Sequence, residues 1–171
     1  MERTRCFVEI PIGTNYPPPK EYFDELRRVS KNQIIWGANH FISRIPYDSP
    51  CWIVWDKCTG ENDFADCELA WTSFSGCVRK FTKSWVGNNA KEHSEGVRYH
   101  PCQKPVALYK WLLTKYAKEG DRILDTHLGS GSIAIACHDL NFSLTGIELD
   151  SDYFQKAVHR IKEHQRQLRL F

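Results

Sequence analysis

The stretch Arg122-Ile-Leu-Asp-Thr-His-Leu-Gly-Ser-Gly-Ser-Ile-Ala-Ile-Ala-Cys137 decides the fold. Its first residues, RILDT, read as a short apolar strand, and SIAIACHDL, from Ser132, reads as a helix. Two glycines, Gly129 and Gly131, separate them. Further on, SLTGIEL (Ser143 to Leu149) reads as a second strand, and a last helix begins at Ser151, which is positioned to cap it. Strands linked through helices by short connections form a parallel βαβ unit, so the fold class is α/β.

A strand-to-helix turn offers free backbone N–H groups and the positive end of a helix dipole, so it attracts anionic or nucleotide-like ligands. Glycines let the backbone approach such a ligand closely. Glu148 ends the second strand, at the usual place for an acid that grips ribose hydroxyls. Loop and acid together predict an adenosine-containing ligand. The glycines lack the third member of the dinucleotide pattern, and no Gly-Lys-Ser/Thr marks a nucleotide-triphosphate loop. Asp125 ahead of them would repel a pyrophosphate but suits a cofactor carrying a sulfonium charge. That favours S-adenosylmethionine over a nicotinamide dinucleotide or ATP. The plain alternative is a loop that only turns the chain.

The rest of the chain fits one soluble domain. It has 171 residues, 42% hydrophobic and 26% charged, and a net charge of +2 that neither demands nor excludes nucleic acid. The seven cysteines (6, 51, 58, 67, 77, 102 and 137) contain no Cys-x-x-Cys pair, so free thiols in a reducing cytoplasm are expected, with no metal. No run is long enough to span a membrane. Residues 6–10 (CFVEI) read as a strand and PIGTNYPPP as a loop. KEYFDELRRVS forms a helix behind Pro19, burying Phe23, Leu26 and Val29. QIIWG and WIVW suit strands buried on both faces, as in parallel sheets, and CELAWTSF and VRKFTKSW read as further strands. GNNAKEHSEG reads as a surface loop. Pro105 starts a helix running to Tyr116, and the last helix turns Phe154, Ala157, Val158 and Ile161 inward. Trp36, Trp52, Trp55 and Trp71 are expected in the core, with Trp36 near enough to a strand end to border a pocket.

The segment His100-Pro-Cys-Gln-Lys-Pro105 stands directly before the βαβ unit. With it in that order, the sequence resembles the permuted, phage-type class of DNA amino-methyltransferases acting on adenine or cytosine. Those enzymes share a His-Pro-x-Gln-Lys-Pro segment, an Asp-x-x-x-Gly-Ser-Gly loop and a strand ending in Gly-x-Glu. The resemblance extends from about Lys20 to Phe171. It implies a three-layer, Rossmann-like α/β fold with a mainly parallel sheet and helices on both faces, forming a single methyltransferase domain over 1–171. It also implies that Asp125, Thr126, Gly129, Ser130, Gly131 and Glu148 hold S-adenosylmethionine, with Gln103 and Lys104 contacting its methionine end. The partner is double-stranded DNA with one base flipped out, and the reaction is methyl transfer to an exocyclic base amine, taken as adenine's.

The chain departs from the family at the catalytic motif, Asp/Asn-Pro-Pro-Tyr/Phe, which localises the amine lone pair and stacks on the flipped base. No such motif occurs; segment 1–19 is expected to be truncated or degenerate. The positional candidates are Glu9, in Glu-Ile-Pro-Ile-Gly13, and Asn15, in Asn-Tyr-Pro-Pro18. Losing the aromatic face forfeits about 1–3 kcal/mol of base stacking. The chain is therefore expected to be an impaired enzyme, or a remnant that still binds the methyl donor. CFVEI is expected to fill the central strand slot of the family sheet; an open slot would instead favour association, as in a homodimer. Arg79, Lys80, Lys83, Lys91 and Arg98 either touch DNA phosphates or form a solvated basic surface.

Overall fold

The computed structural model describes residues 4–9 as backbone and residues 17–45, 47–60, 65–85 and 99–167 in full. The loop expected at GNNAKEHSEG and most of PIGTNYPPP lie outside the described residues. The chain divides into two units, Met1–Asn89 and Ala90–Phe171.

In the first unit, strand β1 (Thr4–Glu9) is followed by helix α1 (Lys20–Val29) and strand β2 (Ser30–Trp36). β1 and β2 pair in parallel, with Phe7 opposite Ile34 and Glu9 opposite Trp36. A parallel pair needs a crossover, and α1 supplies it. Phe23 and Leu26, three residues apart on one face of α1, are buried, while Lys20–Asp24 and Glu25–Arg28 ion pairs sit on exposed positions. Strands β3 (Trp52–Asp56), β4 (Cys67–Thr72) and β5 (Arg79–Thr82) complete this unit, in the lateral order β5-β3-β4-β2-β1.

β4 runs antiparallel to both β2 and β3, whereas β5 is parallel to β3. The reversed β4 makes this part of the sheet mixed. In β3 only Ile53 and Trp55 are buried, and Trp52 and Val54 are half-exposed. The expectation that this run is buried on both faces is therefore corrected: its aromatic content hid an alternating, one-sided pattern. β2 is different, with Gln33 through Trp36 buried without interruption. Trp36 and Trp55 meet edge to face at 6.5 Å, and Phe23 stacks on Phe41 at 5.5 Å. Trp36 is thus a core residue of this unit.

The second unit holds helix α2 (Val106–Tyr116), strand β6 (Arg122–Asp125), helix α3 (Ser132–Asp139), strand β7 (Ser143–Gly146) and helix α4 (Ser151–Arg166). β6 and β7 pair in parallel, with Ile123 opposite Leu144 and Asp125 opposite Gly146. This is the βαβ unit read from the sequence. Leu108, Leu112, Leu113, Ile123 and Ile133 are fully buried, each contributing about 1.5–3 kcal/mol by leaving water.

Three local expectations change. Pro19 and Pro105 occupy the cap positions, one residue ahead of the first helical turn. Asp150, not Ser151, caps α4: its Oδ1 accepts from the amides of Asp152 and Tyr153, both at 2.9 Å. Phe154 does not turn inward and remains 39% exposed, whereas Ala157 and Arg160 are buried. The buried stripe of α4 centres on Ala157 and Arg160, and Phe154 lies about a quarter of a turn off that centre.

Candidate functional site

All eight residues expected to hold the methyl donor lie in the second unit. β6 delivers Asp125 to the end of its strand, where the side chain is 1% exposed. Asp125 Oδ1 accepts from the amide of His127 at 3.0 Å, which bends the chain out of the strand. The amide of Ile147 donates to the Asp125 carbonyl, and that of Leu128 to the Ile147 carbonyl, each at 2.8 Å. The loop is thereby tied to the end of β7. Thr126 Oγ1 lies 3.1 Å from His127 Nδ1.

Glu148 closes the loop. Its Oε2 accepts from the Gly129 amide at 2.8 Å and its Oε1 from the Asp150 amide at 3.0 Å. Gly129 and Gly131 have φ of +52° and +73°, a conformation that side chains resist. Gly131 is also crowded, because a Cβ there would lie 3.2 Å from Ile161 Cδ1 and 3.3 Å from Ala157 Cβ. At Gly129 the nearest atoms belong to the His100 ring, 3.6–3.8 Å from where a Cβ would sit. The glycines thus serve different ends: Gly131 admits helix α4, and Gly129 leaves room beneath His100.

The amides of His127, Leu128, Gly129 and Gly131 all donate within the unit, the last to the Leu128 carbonyl at 2.9 Å. A pyrophosphate cradle needs such amides pointing at the ligand. This loop engages these four internally and sets two carboxylates beside the strand ends, Glu148 partly exposed and Asp125 buried. A carboxylate carries about four lone-pair sites, so Glu148 keeps capacity for two hydroxyl donors after its two backbone bonds. Ile147 and Leu149 flank it, 52% and 99% exposed. An acid that can take a diol, between exposed apolar side chains, fits an adenosine; a buried carboxylate nearby fits a positive charge.

The His100–Pro105 segment folds as a tight turn. Gln103 donates its amide to the His100 carbonyl at 3.0 Å, and its Oε1 accepts from the Tyr99 amide at 2.8 Å. His100 Nδ1 accepts from the Cys102 amide at 3.1 Å, and the ring meets Tyr153 of α4 edge-on at 4.4 Å. Gln103 and Lys104 are each 4% exposed, so both side chains are held inside the turn.

Sequence reading missed Arg160. It is 7% exposed, and its Nη1 donates to the Ser130 carbonyl at 3.0 Å and to Ser132 Oγ at 2.9 Å. Ser130 and Ser132 Oγ atoms are themselves 3.1 Å apart. The available signal was the charged residue at helical spacing from Ala157, on a stripe otherwise apolar. Cys137, in the last turn of α3, has its thiol pushed up to about 12 by burial and by the charge of Asp125.

A separate polar cleft of about 760 Å³ opens at the C-terminal ends of α3 and α4, beside Lys110, Asp139 and His164. Partial burial raises the Asp139 carboxyl, but hydrogen bonds from His164 (2.8 Å) and Lys110 outweigh it and hold the group at about 2. This cleft lies at the opposite ends of these helices from the glycine loop.

The backbone of Glu9 ends β1, and Asn15 lies outside the described residues. No group of three or more metal-ligating side chains occurs among the described residues, nor is any described helix long and apolar enough to cross a membrane.

Residues 75–159 match the model of a DNA methylase family, N6_N4_Mtase. Type II methyltransferase M.HpaI of Haemophilus parainfluenzae is 40% identical over 77 residues, 45% of this chain and 24% of that protein. Type II methyltransferase M2.DpnII of Streptococcus pneumoniae is 32% identical over 78 residues, 46% of this chain and 29% of that protein. The chain thus spans less than a third of the length of these curated relatives. Among solved structures, the M1.HpyAVI–SAM complex superposes with a TM-score of 0.68 at 21% identity, covering 94% of this chain and 89% of that one. PvuII DNA methyltransferase, cytosine-N4-specific, gives 0.63 at 10% identity, covering 95% and 83%. At these identities the structural likeness shows the fold: the α/β fold of DNA methyltransferases.

Proposed function

We propose, from the match of residues 75–159 to the DNA methylase family model, that the chain binds S-adenosylmethionine and methylates an exocyclic amine of a DNA base, adenine's in the first instance. The observation that carries the reading is the loop closed by Glu148, with the amides of His127, Leu128, Gly129 and Gly131 engaged internally and a partly exposed carboxylate, Glu148, beside a buried one, Asp125. When bound, S-adenosylmethionine supplies an electrophilic methyl group on a sulfonium. Glu148 accepts the ribose hydroxyls with its remaining lone pairs, and Ile147 and Leu149 cover the adenine faces. Asp125, Thr126 and Ser130 line the loop, with the Asp125 charge favouring the sulfonium; Gln103 and Lys104 frame the methionine end. Gly129 and Gly131 give the loop the left-handed backbone that seats it against His100 and helix α4. Units Met1–Asn89 and Ala90–Phe171 act in this reading as one methyltransferase domain. Double-stranded DNA enters with one base flipped. The cytoplasm is its setting, a reading supported by the free thiols of the described cysteines.

The acceptor side rests on Glu9 or Asn15, since no Asp-Pro-Pro-Tyr motif is present. That departure favours a second reading, a chain that binds the methyl donor and transfers it poorly. Transfer of labelled methyl from S-adenosylmethionine to unmethylated duplex DNA separates the two. Label in N6-methyladenine, lost in Glu9→Gln or Asn15→Ala, supports the enzyme. Donor binding without incorporation supports the impaired form.

A further inference from the structure

The inner face of α4 touches both parts of the proposed donor site. Tyr153 packs on the His100 ring at 4.4 Å. Ala157 and Ile161 form the wall against which Gly131 lies. Arg160 reaches between them, with its guanidinium 5.3 Å from the Tyr99 ring centroid while Nη1 holds Ser130 and Ser132. Tyr99 in turn is pinned to Gln103 through its amide. One buried cation therefore spans the last residue before the His100–Pro105 turn and the backbone of the glycine loop.

We propose that Arg160 is a positioning residue that couples the glycine loop to the His100–Pro105 turn, so that both ends of the methyl donor meet one preassembled site. This rests on the reading of the site as an S-adenosylmethionine site. The chemistry favours arginine: a planar guanidinium donates in several directions from one fixed plane while its charge stays over the Tyr99 ring, 5.3 Å from the centroid. A lysine ammonium supplies a point charge and can hold the loop without the same reach to both partners. Burial excludes water that would otherwise compete for the Ser130 carbonyl, which strengthens the bond.

The test uses Arg160→Lys and Arg160→Met in the full chain, at a temperature where both remain folded by near-ultraviolet circular dichroism. The affinities of S-adenosylmethionine and of adenosine are measured by calorimetry. Loss of a charge-assisted bond to the loop is expected to weaken S-adenosylmethionine about tenfold or more in the Met variant, with partial rescue by Lys. Adenosine, held at the Glu148 end alone, is expected to weaken less. A purely structural arginine would lower the melting temperature while leaving both affinities of the folded protein unchanged, and that result overturns the proposal. Amide hydrogen exchange at Gly131 and Ser132 needs no ligand. Faster exchange there in Arg160→Met than in wild type supports the clamp, and unchanged exchange overturns it. If the wild-type chain binds no S-adenosylmethionine, the donor reading fails, and the exchange result still decides the clamp.

Discussion

Replacing Gly131 by alanine tests whether the glycine loop is shaped by contact with helix α4. Gly129 and Gly131 share a left-handed backbone, so alanine at either incurs a penalty of about 1–2 kcal/mol. Restricting the unfolded chain recovers about 0.4–1 kcal/mol of it. What separates them is space. At Gly129 the new methyl meets the His100 ring at 3.6 Å, an ordinary contact. At Gly131 it meets Ile161 Cδ1 at 3.2 Å and Ala157 Cβ at 3.3 Å. The Ile161 side chain can shift, but Ala157 Cβ is fixed to the backbone of a sixteen-residue helix. Overpacking of this kind costs about 1–3 kcal/mol. Gly131→Ala is therefore expected to lose about 2–4 kcal/mol in urea unfolding, and Gly129→Ala about 1 kcal/mol or less. For a chain of this length the former corresponds to roughly 6–12 °C in Tm. Equal losses in the two variants would refute the reasoning, since they share φ sign and differ only in neighbours.

Two further outcomes follow from the charges of the second unit. With its thiol near 12, Cys137 is expected to resist iodoacetamide at pH 8 in the native protein, while exposed Cys58, Cys67 and Cys77 react; peptide mass mapping reads this directly, and prompt labelling of Cys137 would contradict it. Asp139 lies at about 2 when folded against 3.8 in the free side chain, so its ion pairs stabilise the fold above pH 4 and are lost as pH falls toward 2. After allowance for solvent screening the loss is about 1–2 kcal/mol. Comparing acid unfolding of wild type with Asp139→Asn checks it, because the variant should lack that part of the pH dependence.

Much of this architecture is legible in the sequence where one physical signal dominates. RILDT, the glycines and SIAIAC predict strand, loop and helix because apolar runs, glycine and helix-forming residues change abruptly at the same boundaries. Glu148 is legible because a lone acid ends an apolar strand. The reversed direction of β4 is not, since strand composition carries no information on the sense of pairing. Arg160 escaped because a charged residue on a helix is ordinarily solvated, and only the fold shows the Ser130 carbonyl that receives it. Phe154 misled in the opposite direction: its apolarity suggested the core, but the buried stripe of α4 centres on Ala157 and Arg160, about a quarter of a turn away. Asp150 displaced Ser151 as a cap because either residue type serves, and the chain direction at the end of β7 chooses.

Titration calorimetry of the full chain with S-adenosylmethionine decides whether the Asp125–Ser132 loop and Glu148 hold that molecule, as proposed. Saturable one-to-one binding is expected, weakened at least tenfold in Glu148→Ala as the hydroxyl acceptor disappears. NAD and ATP are expected to give no comparable heat, since four of the loop amides are already engaged and the nearby carboxylates repel phosphate. No binding at millimolar S-adenosylmethionine, or equal binding by Glu148→Ala, would contradict the proposal.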